Sequence, residues 1–193
     1  MNDSLITDIP EIYAALQQRS SEIGFTMPSD LYIGSLLKTL ISSKPNGKFL
    51  ELGTGIGLSL SWMVDGMMGD SSIISVDNDP QLIDIAGAYF GMNPRVQLIC
   101  QDGAEWIRNY EGGPFDLIFA DAWPGKYSCL DEALALLKIG GMYVIDDMSA
   151  QPNWPEGHQD NVDALVADLE QRENFHLTKM NWSTGILLAT KIA

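Results

Sequence analysis

At 193 residues with 46% apolar content, the chain has the size and composition of one soluble globular domain, expected to span 1–193. A formal charge of −15, from 11 basic and 26 acidic residues, repels phosphate backbones and anionic lipid, which disfavours nucleic acid and membranes and favours a small-molecule partner. No apolar stretch is long enough for a bilayer, the N-terminus lacks the regions of a signal peptide, and Cys100 and Cys129 offer neither a disulfide framework nor zinc spacing, so a cytoplasmic protein with buried thiols is expected.

In chain order, a first helix is expected around residues 10–20. Ser29 or Asp30 can cap a second running to about Ser43, with Leu31, Leu36, Leu37 and Leu40 near helical spacing. Lys44-Pro45-Asn46-Gly47 ends it and turns the chain into a strand. From there, short apolar runs alternate with amphipathic stretches. Strands are predicted near 48–52, 72–77, 95–100, 115–120 and 141–146, and helices near 57–69, 80–91, 103–110, 127–138 and 158–172. Such alternation means parallel strands with right-handed crossovers, an α/β doubly wound sheet covered on both faces. The end differs. Phe175–Trp182 and Gly185–Thr190 are β-rich runs with only Ser183-Thr184 between them, too close for a crossover helix. They form a hairpin, and one of its strands runs antiparallel to the rest.

The most informative segment is Phe49-Leu50-Glu51-Leu52-Gly53-Thr54-Gly55-Ile56-Gly57-Leu58-Ser59. It reads as strand, glycine-rich turn, helix, the geometry in which a backbone approaches a nucleotide closely. A dinucleotide fingerprint would need glycine where Leu58 stands. Glu51, two residues before the first glycine, would repel a pyrophosphate and suits a ligand with a cationic end. In the next strand Asp77 follows Gly53 by 24 residues, where doubly wound folds place the acid that grips ribose hydroxyls. Asn78 follows it, and Asp79-Pro80 looks like a helix start. A G-x-G-x-G turn preceded by an acid resembles motif I of the class I S-adenosylmethionine (SAM) methyltransferases, which implies a Rossmann-like sheet of seven strands with a terminal hairpin. On that resemblance Glu51, Gly53 and Ser59 hold the methionine portion of SAM, with Thr54, Gly55 and Gly57 in the same loop. Asp77 and Asn78 meet the ribose, and Asp102 with Gly103 meets the adenine. Asp102 is equally well placed to cap the helix that begins near Gly103.

Ligands of doubly wound sheets bind outside the carboxyl ends of the strands. The fourth strand closes in Phe115-Asp116-Leu117-Ile118-Phe119-Ala120-Asp121, followed by Ala122-Trp123-Pro124-Gly125-Lys126-Tyr127; the fifth closes in Asp146-Asp147-Met148. Here the chain resembles the cation-dependent catechol and caffeoyl-CoA type O-methyltransferases. That resemblance puts Asp121 and Asp146 on two metal ligands and Asp147 on the family's asparagine, implying Mg²⁺ or Ca²⁺, with Asp121 also near SAM. Oxygen ligands suit such ions, and three converging carboxylates without a cation would raise one another's pKa.

One departure stands out. The family's general-base lysine lies three residues after the strand-4 aspartate, where this chain has Pro124. Proline cannot take a proton. A lone lysine is by default solvated, but Pro124-Gly125 is a turn-forming pair that could swing Lys126 back as the base. His158, by default an exposed loop histidine, and direct acidification by the cation are the alternatives. Trp123, Trp154, Trp182 and Met148 are candidate walls of the acceptor pocket; His176 has no expected role. The expected function is SAM-dependent O-methyl transfer to a small hydroxylated acceptor, with a homodimer left open. The alternatives are a metal-free SAM-site enzyme (another methyltransferase or an aminopropyltransferase) and a non-catalytic SAM-binding protein.

Overall fold

The structure, a computed structural model, describes residues 2–151 and 154–193. Helices α1 (Tyr13–Ile23) and α2 (Leu31–Ser42) precede a regular alternation: β1 (Lys48–Leu52), α3 (Leu58–Gly66), β2 (Ser72–Asp77), α4 (Pro80–Phe90), β3 (Val96–Cys100), α5 (Gly103–Asn109), β4 (Phe115–Ala120), α6 (Leu130–Ala135), β5 (Leu137–Ile145) and α7 (His158–Glu170). A hairpin of β6 (Phe175–Met180) and β7 (Ile186–Lys191) closes the chain. The strands form one seven-stranded sheet in the order β3-β2-β1-β4-β5-β7-β6. Strands β1 to β5 are mutually parallel, and β7 is the antiparallel strand, paired to β5 on one side and β6 on the other. The doubly wound sheet and its terminal hairpin are therefore as expected.

Two capping residues set the frame. Asp30 Oδ1 accepts the Tyr32 and Ile33 amides at 2.9 and 3.0 Å and starts α2. Asp79 does the same for α4, receiving Gln81 N at 2.8 Å, with Pro80 in the first turn. Alternation along the central strands sends side chains to both faces. Phe49, Leu117, Phe119 and Val144 face α2 and α3 with Ile33, Leu37, Ile41 and Trp62. Leu50, Leu52, Ile118, Tyr143 and Ile145 face the other side, with Leu165 and Leu169 of α7. Truncating any of these to alanine would cost about 2–5 kcal/mol. Rigid packing on both faces is what holds the carboxyl ends of β1 and β4 in place.

The expected helix at 127–138 is shorter than the sequence pattern suggests. It spans only Leu130–Ala135, and Leu137 already belongs to β5, pairing with Phe115 before a register shift that brings Met142 opposite Leu117. The Gly140-Gly141 pair thus lies within an irregular strand, near 141–146 where the fifth strand is expected.

Candidate active site

The strand order reverses between β1 and β4, and a cavity of about 640 Å³ opens at their carboxyl ends. It is lined by Gly53, Thr54, Gly55 and Ser59 from the loop after β1, Asp77 and Asn78 after β2, Asp121, Trp123 and Lys126 after β4, and Asp146 and Asp147 after β5. Glycine is required at 53 for two reasons. Its φ is +103°, and a Cβ there would stand 2.6 Å from the Asp121 carbonyl oxygen. The two loops are pressed together backbone to backbone. Gly57, at φ +96°, begins α3 but does not line the cavity.

Asp77 is pre-positioned by the main chain. Gly55 N donates to its Oδ2 at 2.8 Å and Asp79 N to its Oδ1 at 3.0 Å. A carboxylate has about four acceptor sites, so lone pairs remain for a ligand's hydroxyls. Glu51 sits differently: it is fully buried beneath the loop, outside the cavity lining. Ser59 Oγ donates to its Oε1 at 2.6 Å, and Ser75 Oγ lies 2.5 Å from its Oε2 and 2.6 Å from Thr54 Oγ1. Burial pushes the Glu51 pKa up to about 8 against the pull of these hydroxyls, with Asp121 and Asp77 adding to the rise. The acid thus holds Ser59 and, through Ser75, Thr54, both of which do line the cavity. Asp102 is exposed and accepts Glu105 N at 2.9 Å as the cap of α5. Neither it nor Gly103 reaches the lining.

Lys126 is not a solvated lysine. Gly125 takes φ +88°, where a Cβ would meet Leu52 Cδ1 at 2.6 Å, and its carbonyl accepts the buried Tyr143 hydroxyl at 2.8 Å. Gly125 N bonds to Ser128 O at 2.7 Å and Tyr127 N to Trp123 O at 2.9 Å. The loop is curled, and Lys126, 6% exposed, places Nζ 3.4 Å from Asp121 Oδ1. Ser29 Oγ is 3.5 Å from the other Asp121 oxygen. Burial raises the pKa of Asp121 while Lys126 pulls it down; burial and then the charge of Asp121 raise that of Asp146.

The three acids expected to share a cation stand at the same mouth. Asp146 is engaged by Thr184 Oγ1 at 2.5 Å and the Asp147 amide at 2.9 Å, and Asp147 adopts φ +56°. Among the described residues, no three His, Cys, Asp or Glu side chains are grouped so as to hold one metal ion. By donor chemistry these carboxylates suit a hard divalent ion; by placement they do not form its cage.

Trp123 and Trp154 line the cavity, as does His158. His158 is half-buried at the start of α7 rather than in an exposed loop. Trp182 and Met148 fall outside the lining; Trp182 packs edge-on against Tyr32, ring centroids 5.1 Å apart. Several lining residues gave no warning. Ser29 and Thr184 reach their acids across 92 and 38 positions of sequence, distances at which no local pattern forms. Tyr127, with its hydroxyl pKa pushed up to about 12 by burial and by Asp147, has no role that the sequence pattern alone assigns.

A family model described as O-methyltransferase matches residues 11–192. A Mycobacterium tuberculosis protein named "Probable O-methyltransferase" is 30% identical over 139 residues, which cover 69% of this chain and 62% of that protein. The matched stretch thus spans less than two thirds of the relative's length. Among solved structures, the O-methyltransferase TomG of Streptomyces achromogenes, in complex with SAM, superposes with a TM-score of 0.84 at 21% identity, covering 99% of this chain and 94% of that one. An O-methyltransferase of Bacillus cereus in complex with S-adenosylhomocysteine gives 0.83 at 18%, covering 98% and 94%. At such identities these likenesses show the fold.

Proposed function

The chain belongs to the O-methyltransferase family, and we propose that it moves the methyl group of SAM to a hydroxyl of a small acceptor. The observation that carries this is the cavity where the Gly53–Gly57 turn, the pre-positioned Asp77 carboxylate and the buried Lys126–Asp121 pair meet. Gly53, Thr54, Gly55 and Ser59 would hold the methionine end, and Asp77 with Asn78 the ribose. Glu51 and Gly57 shape that loop from beneath. Asp102 and Gly103 remain the proposed neighbours of the adenine, outside the residues that line the cavity.

Transfer is an in-line displacement: the acceptor oxygen bonds to the methyl carbon, the carbon–sulfur bond breaks, and its electron pair stays on sulfur. Alignment supplies much of the rate through effective molarity. The acceptor must also lose a proton. Lys126 Nζ is the group proposed to receive it when unprotonated; as an ammonium it would stabilise the forming oxyanion. Asp121, 3.4 Å away, fixes its position in either state.

A divalent cation is a separate part of the proposal. Asp121, Asp146 and Asp147 would be its ligands, and a hard ion there would acidify the acceptor hydroxyl. Because these acids do not form a cage as they stand, no step above depends on it. Calorimetry with SAM and S-adenosylhomocysteine, followed by transfer of a labelled methyl group to a panel of hydroxylated acceptors with and without chelator, tests the whole. Failure to bind either SAM or its product would overturn it.

A further inference from the structure

Residues 25–30 run from the end of α1 to the start of α2, and all six line the cavity. The Phe25 ring lies over the glycine turn, 3.1 Å from where a Cβ on Gly55 would stand. Phe25 N donates to Ser20 O at 2.9 Å, which fastens this end of the segment to α1. Beyond it, residues 26–29 take no part in a backbone hydrogen bond among the described residues, and Thr26, Met27 and Pro28 are exposed. Such a stretch has little of its own to keep it over a ligand. Its far end is Asp30.

Asp30 divides its two carboxylate oxygens between two partners. Oδ1 caps α2 through the Tyr32 and Ile33 amides, while Oδ2 accepts the Ser183 hydroxyl at 2.7 Å, across 153 positions of sequence. Capping explains the first oxygen and not the second. Beside this bond Trp182 packs on Tyr32, so the hairpin turn meets the first turn of α2 through a ring pair and a charge-assisted hydrogen bond together. The turn is itself firmly held. Met148 N donates to Gly185 O at 2.9 Å, Ser149 N to Thr184 O at 2.8 Å, and Thr184 Oγ1 to Asp146 Oδ1 at 2.5 Å. Ser183 stands in this turn at φ +59°, a conformation that glycine adopts freely and most side chains avoid. Serine gains nothing for the backbone there; what its hydroxyl meets is the Asp30 carboxylate.

We propose that Asp30 and Ser183 are positioning residues: their bond clasps the segment over the cofactor half of the cavity to the turn that also holds Asp146, and its opening governs release of the nucleoside product. This rests on the reading of that half as a SAM site. Labelled S-adenosylhomocysteine is bound to the full chain and chased with excess unlabelled ligand, for the native protein, Ser183→Gly and Ser183→Ala. Ser183 is not among the residues that line the cavity, so neither variant removes a ligand contact. Both lose the hydroxyl, but their backbones respond in opposite ways: glycine relieves the positive φ, and alanine keeps its strain. A role in the turn's own stability would therefore separate the two variants, whereas the clasp makes them alike. Because hydrogen bonds to charged groups are among the stronger kind, release should be about fivefold faster or more in both. A release rate left unchanged in either variant overturns the inference and leaves methyl transfer standing. Failure of the native chain to bind S-adenosylhomocysteine takes down both.

Discussion

Glu51 offers the sharpest test of how the loop is built. It has no solvent exposure, and burial is the largest reason that its pKa rises from 4.5 to about 8; hydrogen bonds from Ser59 and Ser75 oppose the rise, and Asp121 and Asp77 add to it. An acid whose folded pKa lies above its unfolded value binds more protons folded than unfolded. Its stabilising influence is therefore complete below about pH 4.5 and lost progressively as pH rises through about 8. At about 1.4 kcal/mol per pH unit, the span is worth about 5 kcal/mol. Glu51→Gln keeps the shape, cannot ionise, and can donate to Ser75 as the protonated acid would. The unfolding free energy of the variant relative to the native protein should therefore grow by about 4 kcal/mol between pH 5 and pH 8.5. For a chain of this size that is roughly 10 °C or more in Tm. Urea unfolding of both proteins at pH 5, 6.5 and 8.5 measures it, and the contributions of Asp121 and Asp146 largely cancel in the comparison. A stability difference that stays constant across that range would refute the reasoning, since it would mean that Glu51 ionises as readily folded as unfolded.

Asp77→Ala should weaken S-adenosylhomocysteine binding tenfold or more by calorimetry with the fold retained, because charge-assisted hydrogen bonds are worth about 1.5–3 kcal/mol; unchanged affinity removes Asp77 from the site. Lys126→Met should lower turnover more than about a hundredfold while SAM binding is kept, and a loss of only a few-fold would mean that Lys126 is not the base. Chelation should slow turnover and leave SAM affinity alone, and Mg²⁺ should raise the Tm of the native protein but not of Asp146→Ala; indifference of both readouts removes the cation. Gly125→Ala should cost about 1–3 kcal/mol in thermal unfolding and reduce turnover with it, because a Cβ at φ +88° strains the turn and strikes Leu52 and the Tyr143 hydroxyl.

Much of the fold is legible because its signals are local. β1, β2 and β4 are short apolar runs bounded by glycine or aspartate, and the hairpin announces itself through a gap too short for a helix. The boundary of α6 was not legible. Leu130, Leu134 and Leu137 keep helical spacing, yet Leu137, still buried in the core, begins β5 and pairs with Phe115. A register shift decided by the neighbouring strand cannot be read from the strand itself. In the same way, Asp102 satisfies two local descriptions, and only its exposure and its bond to Glu105 N separate the cap from the cavity wall. Thr184 and Ser29 reach the site only because the hairpin turn and the segment before α2 are folded over it.

Lys126 shows where motif reading stops and geometry begins. Counting from Asp121, the residue three along is Pro124, and on spacing alone the base is missing. What the proposed chemistry needs is a nitrogen beside the Asp121 carboxylate, not a particular count of residues. The Pro124-Gly125 pair provides it by another backbone path. Proline sets φ for a turn, glycine takes the positive φ that follows, and the Tyr143 hydroxyl fastens the Gly125 carbonyl from below. The lysine two places later is carried back into the fold, to 6% exposure and 3.4 Å from Asp121 Oδ1. A buried ammonium beside a carboxylate is costly to strand, and removal of either partner leaves the other uncompensated. The turn and the ion pair therefore support each other, and damage to Gly125 should reach the chemistry through Lys126 even though glycine has no side chain to take part in it.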